Sequence, residues 1–371
     1  VPSPDSTLLL VLLCASPVAL LVVASRRRRP WSQLVAGGVS LLLAFAGGVA
    51  AVNHHYGYYR TWGDLVTDLR GGPDVRHLAL GAPGSAGLLT PGPSGGQRAA
   101  RGELVKVDLA GLRSHLDRQA LVWLPPEYFQ PGRRTTRFPV LELLHGYPGH
   151  PSDWLTALHL PQLLGQLEAQ GRIGPMVVVM PAINPDGARS SQECADAPHG
   201  AQDDTYLSLD VPDAITQTFR VLPTGPGWAV GGFSTGAYCA AVLALRHPGT
   251  FHAVAALDGY LNPVQGGFAT TLFGRDQHAE RGYDIAALLM QRQGQPGPLL
   301  PSFYLVAGTK YREDLANSRT LQTLLTDRSA VDLVVAQGGG HDFYEWSRAL
   351  PATLAWVWGQ IGATLASSPA P

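Results

Sequence analysis

The chain has 371 residues and a formal net charge of −1, so no basic field marks it as a partner of nucleic acid. Its length allows one large domain with additions. Only 15% of its residues are charged, against about 25% in soluble domains, which points to an apolar segment beyond an ordinary core.

That segment comes first. "TLLLVLLCASPVALLVVAS" (Thr7–Ser25) and "WSQLVAGGVSLLLAFAGGVAAV" (Trp31–Val52) are uncharged runs, each close to the roughly 20 residues that cross a bilayer. Arg26 to Arg29 lie between them. Arginines in a short loop stay cytoplasmic, which predicts that everything after Val52 faces outside. The competing reading is a signal peptide with Arg26–Arg29 as its basic region; it leaves the first run unexplained. The chain opens at Val1, which leaves room for further membrane sequence upstream. "NHHYGYYRTW" (Asn53–Trp62) adds aromatic rings suited to a membrane–water interface. His54 and His55 have no Cys or acid at ligand spacing, so no metal is expected there. The anchor is expected over 1–55.

A juxtamembrane segment and Gly/Pro/Ser-rich linker are expected over 56–102, and a globular unit over 103–362, with a flexible tail at 363–371. Within the unit, "ALVWLPPEY", "FPVLELLHGYPG", "PMVVVMP", "WAVGGFS", "FHAVAALDG", "SFYLVAGT" and "VDLVVAQGGGH" read as strands. "LPQLLGQLEAQGRI" and "TGAYCAAVLALRHP" read as helices between them. The alternation implies an α/β fold with a mainly parallel sheet. "INPDGARSSQECADAPHGAQDDTYLSLD" (Ile183–Asp210) shows no strand or helix pattern, and a loop of that length is expected to wall a functional cleft.

"GGFSTGAYCA" (Gly231–Ala240) holds G-x-S-x-G around Ser234, a match that a chain with 43 glycines can produce by accident. Its placement between a strand and a helix is more telling, because a nucleophile elbow needs that sharp turn. A serine hydroxyl requires a base, and "GGGHDFYEW" puts His341 just after the last strand. His145 is expected to shape a turn, and His247 and His252 fall on a helix–strand connection. The N–H groups of Thr235 and of Tyr147 in "HGYPG" are the expected oxyanion donors.

"VWLPPEY", "LELLHGYPGHPSDWL", "PMVVVMP", "DTYLSLDVPDAI", "WAVGGFSTGAYCAAVLALRHPGTF" and "GGGHDFYEW", in this order, resemble the esterase D / antigen 85-type α/β-hydrolases. The resemblance covers about residues 103–360. It implies the α/β-hydrolase fold and hydrolysis or transfer of acyl esters, with no metal or organic cofactor. It also implies Ser234 as nucleophile, His341 as base and Tyr147 as an oxyanion donor. The layout resembles anchored, externally facing actinobacterial members; an acyl ester of a lipid or other envelope component is the expected substrate. A hydrolase-like scaffold without activity is the alternative from another class, and a peptidase on the same fold is a third.

Two features stay open at this level. Related hydrolases carry the acid about three residues past the glycine that ends the penultimate strand, and here that residue is Tyr311. Glu313 is the favoured acid, followed by Asp314 and Asp258; Asp342 is expected to fix its own loop. Cys14 lies in the first apolar run, which leaves Cys194 and Cys239 as an even pair for an oxidising compartment. They are read as a disulfide, or else as two buried thiols.

Overall fold

A computed structural model describes residues 1–26, 30–70, 75–78, 101–185, 191–198, 200–264, 272–291, 300–326 and 328–364. Arg27–Arg29, most of the expected linker and nearly all of the expected tail lie outside these residues. The apolar runs form helices α1 (Thr7–Ser25) and α2 (Pro30–Tyr56). They pair through small residues. Ala36, Ser40, Gly47 and Ala50 are buried, Ser40 Oγ donates to the Pro17 carbonyl at 3.2 Å, and a Cβ on Gly47 would stand 3.4 Å from Cys14 Sγ. Small side chains at a helix contact allow the close packing that holds helices together in lipid. Only 11% and 22% of their most apolar windows are buried, so neither is the core helix of a globular unit. By length and composition both could cross a membrane.

The unit that follows is a nine-stranded sheet in the order β1-β2-β3-β5-β4-β6-β7-β8-β9. The strands are β1 (Arg76–Leu78), β2 (Glu103–Ala110), β3 (Asp117–Leu124), β4 (Val140–Leu144), β5 (Val177–Pro181), β6 (Gly225–Phe233), β7 (Phe251–Leu257), β8 (Ser302–Gly308) and β9 (Val331–Ala336). Only β3 runs against its neighbours; the other pairs are parallel. Alternate residues of the central strands feed two cores, one on each face. Helices α4 (Leu160–Ala169) and α8 (Phe343–Ile361) cover one face. The other is covered by α5 (Val211–Thr218), α6 (Thr235–Arg246) and α7 (Arg312–Leu325). This is the α/β-hydrolase architecture. Every residue of α6 from Thr235 to Leu245 is buried, as its apolar circumference requires.

Two parts of the sequence reading change. Arg76–Leu78, placed in the linker, pairs with β2 as an edge strand. The stretch Ile183–Asp210 is not loop throughout, because Asp203–Thr205 and Tyr206–Asp210 form helical turns that lead into α5. Three of its aspartates are partners of fixed groups elsewhere. Asp203 pairs with buried Arg118. Asp204 accepts from Arg246 at 2.5 Å and Tyr283 at 3.1 Å, and meets His247 Nε2 at 2.6 Å. Asp210 accepts from the Ser114 N–H at 2.8 Å. Burial alone would raise the Asp204 pKa, but His247 and Arg246 outweigh it and hold the carboxylate below its usual range.

The structure joins Cys194 to Cys239 across 45 residues, tying the Ile183–Asp210 segment to α6. In the chain-entropy account, closing a loop of that size contributes roughly 4 kcal/mol. Replacing both cysteines by serine is expected to lower the thermal midpoint by on the order of 10 °C. A non-reducing digest of the parent protein should yield the Cys194–Cys239 peptide pair.

Candidate active site

The chain leaves β4 to one side to form β5, then returns to form β6 on the other side. Sheets of this kind open a crevice at the carboxyl ends of the strands where the order reverses. The residues that end β4 and β6 meet there. Ser234 follows β6 with φ 56° and ψ −124°, a backbone conformation that non-glycine residues rarely hold unless their surroundings impose it. Two glycines make that possible. A Cβ on Gly236 would lie 2.0 Å from the Leu144 carbonyl oxygen, and one on Gly232 would lie 2.4 Å from the Gly236 carbonyl carbon. Any side chain at either position would push α6 away from the end of β4.

His341 lies between β9 and α8, and its imidazole links two groups. Its Nε2 is 2.9 Å from Ser234 Oγ, and its Nδ1 is 2.9 Å from Asp314 Oδ2. Trp346 lies edge-on to the ring at 5.3 Å and stacks on Phe233 at 4.5 Å, which fences the imidazole laterally. Burial pushes the imidazolium pKa down. The hydrogen bond and charge of Asp314, with Asp258 and Asp342 behind it, outweigh that and leave the pKa above histidine's ordinary value. An imidazole held between a hydroxyl and a carboxylate can accept the hydroxyl proton while the carboxylate holds its tautomer.

The favoured acid changes accordingly. Glu313 is exposed, and the carboxylate on His341 belongs to Asp314. Both sit in the first turn of α7, where successive side chains diverge by about 100°, so only one can face the imidazole. Tyr311, at the position expected of the acid, precedes α7 and meets His341 edge-on at 6.1 Å. Asp258 is fully buried and already engaged: its Oδ1 accepts from the Gly308 N–H at 2.9 Å and its Oδ2 from Trp346 Nε1 at 2.8 Å. Burial pushes its pKa up to about 6 against the pull of Gly308, His341 and Trp346. Asp342 caps α8 through the Glu345 N–H at 2.9 Å. Among the described residues, Asp258, Asp314 and His341 have ligand atoms within 4.8 Å of one another, a spacing a cation could use.

The two expected oxyanion donors sit on either side of Ser234. Thr235 opens α6, where N–H groups lack intrahelical acceptors and the helix dipole favours negative charge. Tyr147 follows Gly146, on which a Cβ would stand 3.3 Å from Ser234 Cβ. The turn is braced by buried His145, whose Nδ1 donates to the Gly146 carbonyl at 2.8 Å and whose Nε2 accepts from the Ile183 N–H at 3.2 Å. Burial pushes its pKa down to about 4, which keeps it neutral. His247 is held by Asp204 and His252 is exposed, both away from Ser234.

Sequence reasoning missed one polar group behind Thr235. Buried Glu193 accepts from Tyr260 Oη at 2.6 Å, and Tyr260 also bonds the Thr235 side chain. Glu193 and Cys194 have φ of 51° and 49°, so the disulfide and this carboxylate fix the loop at the foot of the elbow. Its place beside Cys194 was the only available signal.

Residues 115–357 match the family model described as putative esterase. An uncharacterised protein of Corynebacterium glutamicum is 29% identical over 267 residues, which are 69% of this chain and 62% of that protein; the chain thus spans under two thirds of that curated relative. Among solved structures, a ferulic acid esterase superposes with a TM-score of 0.58 at 21% identity, covering 71% of this chain and 99% of the other. An S-formylglutathione hydrolase from Agrobacterium tumefaciens gives 0.58 at 18% identity, covering 71% and 96%. At such identities the likeness is one of fold, while the family match spans both β4–β6 and the His341 loop: the chain belongs to the putative esterase family.

Proposed function

We propose that this chain is a membrane-anchored, extracytoplasmic serine esterase or acyltransferase acting on acyl esters of lipids or other envelope components. The observation that carries the reading is the continuous hydrogen-bonded array Ser234–His341–Asp314 at the carboxyl ends of β6, β8 and β9. Ser234 Oγ attacks the ester carbonyl while its proton passes to His341 Nε2. The tetrahedral oxyanion is met by the N–H groups of Thr235 and Tyr147. Its collapse breaks the C–O bond of the ester, and His341 returns the proton to the departing alkoxide. Water or a second alcohol then gives a proton to His341, attacks the acyl-serine and releases Ser234. Whether water or alcohol completes the cycle separates hydrolase from transferase. The anchor is supported by α1 and α2, which pass the length and apolarity test for crossing a membrane, and the outward orientation by the arginines from Arg26 to Arg29.

Ser234→Ala is expected to lower turnover of a p-nitrophenyl ester by about three orders of magnitude or more and to abolish labelling by a fluorophosphonate. Full activity in that variant would sink the reading. Asp314→Asn is expected to reduce kcat by roughly 10³–10⁴, whereas Glu313→Gln should stay within about twofold, since its carboxylate is exposed. Equal losses in the two variants would show that helix α7, rather than one carboxylate, is what matters.

The pH profile follows from His341. The base must be neutral, and its pKa lies above the ordinary 6.5. kcat/KM should therefore fall on the acid side with an apparent pKa above 6.5. Asp314 raises that pKa, so the residual activity of Asp314→Asn should titrate at lower pH; an upward shift would contradict the assigned pairing. An extracytoplasmic reporter fused after Pro371 is expected to be active, and a cytoplasmic one silent.

A further inference from the structure

The C-terminal end of α2 and the residues just after it contact the segments next to His341 and Asp314. His55 Nε2 meets Tyr311 Oη at 3.1 Å, and Tyr311 lies edge-on to the His341 ring. Tyr58 packs on Phe343 at 4.9 Å, and Arg60 donates at 2.7 Å both to the Phe343 carbonyl and to Ser347 Oγ. The turn before α1 joins in: Tyr344 Oη donates to Asp5 Oδ2 at 3.1 Å, and His54 Nδ1 meets the Asp5 carbonyl at 2.6 Å. Gly57 turns with φ +74°, and a Cβ there would stand 2.8 Å from the Tyr344 ring. One side chain, Tyr311, separates the end of a 27-residue apolar helix from the imidazole on Ser234.

The membrane surface can be placed from the same residues. Exposed Trp31 and Tyr56 bracket α2, and such rings settle at the two interfaces. At 1.5 Å per residue they stand about 37 Å apart, enough for a core of roughly 30 Å with part of each headgroup layer. Helix α3 (Trp62–Leu69) follows at once. It packs against the Asp153–Thr156 turn beyond "HGYPG" and leaves Trp62, Val66 and Leu69 exposed at 41%, 41% and 77%. Their i, i+4, i+7 spacing makes one apolar face, which suits a helix lying in the interface plane.

We infer that the site takes its acyl ester from a lipid seated in the adjoining leaflet. Docked in this way, Ser234 is held at the level of the headgroup layer, roughly 5–8 Å deep, where the ester carbonyls of an amphiphile lie while its chains stay in hydrocarbon. The standoff between site and membrane is set by the His55–Tyr311, Arg60–Phe343 and Asp5–Tyr344 contacts, not by a free tether. This inference rests on the esterase reading above.

The test uses the full chain reconstituted in phosphatidylglycerol vesicles and two substrates with one leaving group. These are 4-methylumbelliferyl butyrate in water and 4-methylumbelliferyl palmitate in the bilayer. The variant carries about 15 Gly/Ser residues between Tyr56 and Gly57, a flexible reach of roughly 20 Å, with Asp5→Ala, Val66→Glu and Leu69→Glu. Butyrate turnover should stay within about twofold, and palmitate turnover should fall about tenfold or more. Equal losses on both substrates would make the docked anchor a support of the fold, and no loss on either would make it a passive tether; each overturns the inference. If the unmodified protein cleaves neither ester while remaining folded by circular dichroism, the esterase reading fails first, and this one with it.

Discussion

The approach of α6 to the end of β4 sets the geometry of everything around Ser234. Gly236 has no side chain because the carbonyl oxygens of Leu144 and His145 occupy that space, and Gly232 completes the contact from the other side. Since the backbones touch, the chain must turn from strand to helix within one residue, and Ser234 takes the strained φ that results. The strain, of order 1–3 kcal/mol, is held by a helix buried almost to its last residue and by a sheet packed on both faces. The hydroxyl is thus presented at the crevice where β4 and β6 diverge, and the turn carrying Tyr147 is pressed against it.

The surrounding loops are fixed by polar groups whose chemistry differs from site to site. His145 serves as a neutral bracket between two backbone groups, a role that needs its low pKa. Asp204 works in the opposite sense, as a buried anion matched to Arg246 and His247. Removing one partner of such a set costs more than the pair contributes, because the remaining charge stays buried. Asp258 holds Trp346 and the Gly308 backbone, and Trp346 in turn confines His341. It positions the imidazole through Trp346 and adds its own charge at short range.

The two apolar N-terminal helices are continuous with this arrangement. In many tethered enzymes a linker decouples the site from the membrane, and the domain samples the volume that its tether allows. Here, Tyr58 and Arg60 contact the start of α8, adjacent to His341. The end of α2 also reaches the candidate site through Tyr311, which meets both His55 and the His341 ring. Substrate access, on the proposed reading, is therefore a matter of orientation as well as chemistry.

Short-range pattern was enough for much of this molecule. Apolar runs of spanning length, strand–helix alternation, the glycines around Ser234 and a histidine after the last strand are all local, and each follows from backbone geometry or solvent preference. Strand β2 was not picked out although Val105, Val107 and Leu109 alternate inward, and β1 could not be, because three residues in a Gly/Pro-rich stretch have no pattern until β2 offers an edge. The choice between Glu313 and Asp314 could not be made from the chain, because it depends on the rotation of α7 about its axis, which packing of Ser318, Leu321 and Leu325 decides. The Asp203–Asp210 turns were hidden for a related reason, as their carboxylates look solvated until Arg118, Arg246 and His247 arrive from distant segments. The seating of Tyr311 between His55 and His341 joins residues 286 positions apart, and only the folded chain brings them together.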